Sequence, residues 1–170
     1  RVNYTAGGLP LTFAVSGPDG TDVTLLINGP DGTWYCNDDA GTDTLNSALT
    51  FSAPLSGQYD IWVGTFSPGE NFEAALLVTE LVSDGSAPQA EYSVGVPYDA
   101  PAGAVAPDIF LVTGFTPDPV RAELMAGGPQ DGATFGCIGW YNTVPSFVLV
   151  LGTDGGVRRI LSAYSAIDTT

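Results

Sequence analysis

Four oxygen-bearing side chains fall within seven residues of the stretch "WYCNDDAGTDT": Asn37, Asp38, Asp39 and Asp43. Gly41 lets the chain fold back between them. A hard cation such as Ca²⁺ takes about six to eight oxygens from carboxylates, amides and carbonyls, usually in a loop flexible enough to wrap it. Asp22, at the head of the preceding strand-like segment, would add an oxygen from across a sheet. Calcium is therefore the candidate cofactor, with Asp22, Asn37, Asp38, Asp39 and Asp43 as candidate ligands. The spacing is neither an EF-hand nor a glycine-rich calcium repeat, and an ordinary solvated acidic loop is the alternative.

The same stretch carries Cys36, one of two cysteines; the other is Cys137. Each stands at the end of a strand-like segment after a Gly-Pro turn. In an oxidising compartment they are expected to pair, closing a loop of about 100 residues and contributing on the order of 4–5 kcal/mol through the unfolded state. Two free buried cysteines, or an intermolecular pair, are the alternatives.

Most catalytic chemistry lacks its groups. The chain has no histidine and no lysine, which removes Ser-His-Asp and Cys-His arrangements, Ser-Lys dyads, Schiff bases and the Walker A loop. Histidine-built zinc sites are excluded as well, and two cysteines cannot close a four-cysteine site. A carboxylate pair for glycoside hydrolysis is formally open, but nothing in the sequence sets two acids across a cleft. The expectation is a protein without catalysis.

The elements that must position these residues are read from a period-2 alternation of apolar and polar residues. "LTFAVSG" (11–17), "DVTLLIN" (22–28), "TWYCN" (33–37), "ALTFSA" (48–53), "QYDIWVGTF" (58–66) and "FEAALLVTEL" (72–81) read as six strands. Pro18-Asp19-Gly20, Pro30-Asp31-Gly32, Ser56-Gly57 and Pro68-Gly69 are the turns between them. After "SDGSAPQAE" (83–91), which reads as a linker, strand patterns resume in "DIFLVTGF" (108–115), "VRAELMAG" (120–127), "ATFGCIGW" (133–140), "SFVLVLGT" (146–153) and "VRRILSAYSA" (157–166). Short strands at roughly ten-residue spacing with tight turns point to an all-β antiparallel sandwich.

The two halves resemble each other. "VTLLINGPDGTWYC" (23–36) aligns with "RAELMAGGPQDGATFGC" (121–137), and "YDIWVGT" (59–65) with "FVLVLGT" (147–153). This predicts a diverged tandem duplication, with repeat 1 over 1–82 and repeat 2 over 92–170, as two small sandwiches or one fused sandwich. Repeat 2 has "CIGWYN" where repeat 1 has "CNDDAG", so one cation is the most to expect.

The first half also resembles the bacterial pre-peptidase C-terminal (PPC) domain family. The likeness rests on Asp22 opening "DVTLLIN", on "GPDG", on "WYCNDDAG", and above all on "LSGQYDIWVGTF". It runs from about residue 10 to 80, and from 90 to 166 only the strand-turn skeleton carries it. The resemblance implies a jelly-roll-like β-sandwich on secreted bacterial proteins, commonly appended to peptidases and other exported enzymes. It implies a non-catalytic role in attachment, secretion or stabilisation, and some related collagen-binding domains carry calcium.

Composition narrows the partners. Nineteen acids against four arginines leave a net charge of −15 over 170 residues. A nucleic-acid ligand needs a basic footprint that this chain lacks, and contact with anionic membrane is disfavoured for the same reason. No apolar run reaches the roughly 18 residues of a membrane helix, so no membrane insertion is expected. The chain opens on Arg1, which suggests a processed form, and its cysteine usage suits a secreted or periplasmic setting. The remaining partners are a protein or polysaccharide surface, or copies of the chain itself. Trp34, Tyr35, Tyr59 and Trp62 read as core packing or, with Trp140 and Tyr141, as a stacking face. Exchange of the N-terminal strand with a neighbour's sheet would instead build an extracellular filament or coat.

Overall fold

A computed structural model describes residues 1–81 and 109–143, and the backbone of 151–153 and 156–158. The linker at 83–91 and most of the strands expected at 146–153 and 157–166 lie outside the described residues. The first half contains β1 (Val2–Thr5), β2 (Leu11–Ser16), β3 (Val23–Asn28), β4 (Trp34–Asn37), β5 (Ser47–Phe51), β6 (Gly57–Thr65) and β7 (Phe72–Thr79). Then come β8 (Ile109–Val112), β9 (Val120–Ala126), β10 (Gln130–Asp131), β11 (Trp140–Tyr141), β12 (Leu151–Thr153) and β13 (Gly156–Arg158).

Eleven of these strands make two packed sheets, an all-β sandwich, and β12 and β13 pair with each other. The smaller runs β5-β2-β7-β9 and is antiparallel throughout. The larger has seven strands centred on β6. One side of β6 pairs with β3, which carries β4. The other side is shared by β1 near Tyr59 and β11 at Thr65, with β8 lying parallel outside β1 and β10 outside β11. Strands from 109–141 are thus built into the sheets of residues 1–79. Aligned segments of the two halves fall in different sheets, β3 in the larger and β9 in the smaller.

The alternation in sequence becomes alternation of face. Leu11, Phe13 and Val15 of β2 meet Leu25 and Ile27 of β3 and Ile61 and Val63 of β6 in one core. The outward set of β2 and β7 is small, and Ala14, Ala75 and Leu77 form a second buried cluster there. The Pro-Asp-Gly turns form as expected, Thr21 N–H closing on the Pro18 carbonyl at 3.1 Å and Gly32 N–H on that of Gly29 at 2.9 Å. Gly20 and Gly32 take φ of 79° and 78°, a region that disfavours side chains, which is why these turns end in glycine.

Two segments depart from the alternation. Residues 133–140 are not a continuous strand: Gly132–Phe135 is a 3-10 turn, and only Trp140–Tyr141 pair. The Asp131 carboxylate caps the turn through Ala133 N–H, and Gly136 and Gly139 have φ of 74° and 114°, conformations incompatible with a strand. Conversely, the polar-looking N-terminus contains β1, whose Val2 and Tyr4 face the core while Asn3 and Thr5 do not.

Cys36 and Cys137 are disulfide-bonded, with S–S 2.11 Å and Cα–Cα 5.9 Å. The bond fastens residues 132–141 across the outer face of β3 and β6, burying Leu26 beneath Cys137 and Tyr141. Gly64 makes the close approach possible: a Cβ there would stand 2.6 Å from Tyr141 ring carbons. A disulfide of this kind goes with an oxidising, non-cytoplasmic environment.

Candidate functional site

The β3–β4 hairpin brings the acids together. Leu25 pairs with Asn37, so the residues before β3 and after β4 leave the same end of the hairpin, Asp22 on one strand and Asp38 on the other. The same end receives β6, since Val23 pairs with Thr65 and Phe66 N–H donates to the Asp22 carbonyl at 3.1 Å. The turn that follows carries Glu70.

The electrostatics show which acids form a group. Burial pushes the Asp22 carboxyl up to about 6, and the charges of Asp38, Asp39 and Glu70 add to the rise. Burial, then Asp39, raises Asp38 as well. Asp22 Oδ1 and Asp38 Oδ1 are buried and make no hydrogen bond. Unpaired buried carboxylate oxygens are costly, because burial removes water without supplying a donor or a counter-charge. Tyr141, whose O–H donates to the Ile138 carbonyl at 2.6 Å, is pushed up to about 12, first by burial, with the Asp38 charge adding to it.

The five residues singled out in the sequence therefore separate. Asp22 and Asp38 hold the interior of the group, with Asp39 exposed beside them. Asn37 faces the other way: its Oδ1 accepts from Ser47 Oγ at 3.1 Å and Ala48 N–H at 3.2 Å, tying β4 to β5 across the two sheets. Asp43 is exposed and is not among the charges that raise Asp22 or Asp38. The loop between is closed by Ala40 N–H on the Asn46 carbonyl at 2.7 Å. Glu70 was not legible as a member; its only signal is its place in the turn after β6, whose end pairs with Val23. Among the described residues no three His, Cys, Asp or Glu side chains are grouped so as to hold a metal by themselves. A cation at Asp22 and Asp38 would draw further oxygens from backbone or solvent.

The aromatic residues divide by face as alternation requires. Tyr59 is buried in the core, and Tyr35 packs edge-on to Phe51 at 5.0 Å. Trp34 and Trp62 lie on the outer face, 5.2 Å apart, with Phe135 at 4.3 Å from Trp34. They pack against the segment held by the disulfide, and Tyr141 is buried with it.

A second carboxylate lies inside the sandwich. Glu80, only 5 % exposed, accepts from Tyr4 O–H and Gly114 N–H, each at 2.5 Å. Burial opposes its charge, but hydrogen bonds from Tyr4, Thr113, Gly114 and Phe115 outweigh it and hold the carboxyl below its ordinary value. Its own N–H donates to Asp118 Oδ2 at 3.0 Å. Glu80 thus ties the end of β7 to β1 and to the loop after β8, a structural clamp that sequence spacing did not reveal.

No family model matches the chain, and no curated protein or solved structure matches it either. No helix among the described residues is long and apolar enough to cross a membrane.

Proposed function

We propose that the chain is a secreted bacterial β-sandwich module of the PPC type that binds or stabilises without catalysis, and that a Ca²⁺ ion held at Asp22 and Asp38 completes its fold. One observation carries the cation: two neighbouring half-buried carboxylates, each with one buried oxygen lacking a hydrogen-bond donor, are both raised, and no cation among the described residues offsets them. Asp39 and Glu70 deepen the negative potential at the mouth of the site. Oxygen-only, flexible loop chemistry suits a hard cation, and a divalent ion would convert the mutual repulsion of the carboxylates into attraction. The absence of histidine and lysine from the sequence supports the non-catalytic reading.

The test is thermal melting at neutral pH with Ca²⁺ and with EGTA. Calcium is expected to raise Tm in the intact protein and to leave an Asp22→Asn/Asp38→Asn variant unmoved. An intact protein that melts at the same temperature in both buffers overturns the cation reading.

A further inference from the structure

We infer, resting on the cation proposed at Asp22 and Asp38, that its site extends beneath residues 132–141. The Thr24 hydroxyl is its third protein oxygen, and the Cys36–Cys137 disulfide is the tie that keeps it closed. Five buried side-chain polar atoms among the described residues make no hydrogen bond, and three of them fall together here: Asp22 Oδ1, Thr24 Oγ1 and Asp38 Oδ1. Thr24 is fully buried, so bulk water does not serve its hydroxyl.

The strands place all three on one face. Val23 and Leu25 point into the core, which turns Asp22 and Thr24 to the outer face of β3. Asn37 turns inward to Ser47 and Ala48, which leaves Cys36 and Asp38 on the outer face of β4. Leu25 pairs with Asn37, so Thr24 and Asp38 stand across from one another one step further along the hairpin. The segment held by the disulfide lies directly on them. A Cβ on Gly64 would stand 2.6 Å from both Thr24 Oγ1 and the Tyr141 ring, and a Cβ on Gly139 would run into Thr24 Oγ1. Cys36 is two residues before Asp38 and Cys137 two before Gly139, so one bond fastens the acid-bearing strand end to the residue that covers Thr24.

The roof spends its donors on itself. Tyr141 O–H donates to the Ile138 carbonyl at 2.6 Å, Gly132 N–H to that of Gly139 at 2.8 Å, and Cys137 N–H to that of Gly132 at 3.0 Å. Ionised carboxylates only accept, and a hydroxyl offers its lone pairs to a hard cation, so one metal ion serves all three oxygens. So close a roof leaves little room for the ion's own water. Mg²⁺ dehydrates reluctantly and keeps several waters, whereas Ca²⁺ takes a flexible set of protein oxygens at longer distance, so the closed site selects Ca²⁺.

The test is isothermal titration of the folded, oxidised chain with CaCl₂ and with MgCl₂, beside thermal melting in EGTA. Wild type should bind Mg²⁺ at least roughly tenfold more weakly than Ca²⁺. Thr24→Val keeps the shape and removes the oxygen, and should lower calcium affinity roughly tenfold or more. In EGTA the same variant should melt no lower than wild type, because it loses a buried hydroxyl that had no partner. Thr24→Ser should restore most of the affinity. Cys36→Ala/Cys137→Ala should weaken calcium binding about 10- to 100-fold, as removal of a group that orients ligands does. If circular dichroism shows that variant unfolded, Thr24→Val and the Mg²⁺ comparison decide. Wild type that binds no calcium overturns the cation and the closed site together. Wild type that binds calcium, with Thr24→Val or Mg²⁺ binding equally well, overturns the closed site alone. So does a valine variant that melts below wild type in EGTA, since the hydroxyl then has a protein partner.

Discussion

Asp22→Asn should make the cation-free protein more stable at neutral pH, although it removes a charged residue from the candidate site. In the folded chain the Asp22 carboxyl is pushed from its ordinary 3.8 up to about 6 by burial and by Asp38, Asp39 and Glu70. An acid raised on folding binds its proton more tightly in the folded state. Stability therefore falls as pH rises through the window from 3.8 to about 6, and above it the full cost of the ionised form is present. Complete linkage would set that cost near 3 kcal/mol. Asp22 is partly solvated, so screening lowers the figure to about 1–2 kcal/mol. Asparagine is neutral and nearly isosteric, and in EGTA at pH 7.5 it should raise Tm by about 2–8 °C. The gain should vanish by about pH 4, where wild-type Asp22 is itself protonated. With saturating Ca²⁺ the order should reverse, since wild type gains about 2.7 kcal/mol at a hundredfold excess over Kd and the variant does not. The assay is differential scanning calorimetry of both proteins over pH 4 to 7.5. A variant no more stable than wild type at pH 7.5 in EGTA, or a difference that does not change with pH, would falsify the electrostatic account.

Glu80→Gln should have the opposite pH signature. Its carboxyl is held below the ordinary 4.5, so its contribution is present above that value and is lost as pH falls through the folded one. The substitution puts an amide where Tyr4 O–H and Gly114 N–H both donate, and should cost about 2–3 kcal/mol at pH 7 by denaturant titration. An equal loss well below pH 4 would mean that shape, not charge, is responsible. Gly64→Ala should cost about 1–3 kcal/mol, since its Cβ would meet Tyr141 and Thr24, whereas Gly8→Ala meets nothing within 4 Å and should be neutral. Equal melting of the two alanine variants would refute the packing of residues 132–141 over β6.

Much of this architecture was legible because a half-buried strand writes its two faces into alternate residues. β2, β3, β6 and β7 are read directly from apolar alternation, and their turns from Pro-Asp-Gly. β1 escaped notice because its alternation, Val-Asn-Tyr-Thr, is only four residues long and half polar. The expected strand at 133–140 failed for a local reason, two glycines with positive φ after a capping aspartate, which pattern alone does not weigh. At the candidate site, Asn37 shares the chemistry of its neighbours but lies on the other face of β4, bonded to β5. Proximity along the chain did not distinguish it from Asp38, one residue on.

By itself the sequence determined an all-β chain rich in acid and without histidine or lysine, because composition and period are local properties. It also allowed at most one intramolecular disulfide, since there are only two cysteines, and the structure shows that it forms. Only the tertiary structure decided that Glu70 joins Asp22 and Asp38, that Glu80 closes on Tyr4, and that strands from both halves share two sheets. Those outcomes depend on which edges meet, and strand pairing joins residues far apart in sequence through backbone groups that every residue carries. Side-chain type cannot encode such a choice, and burial of both faces at once selects it.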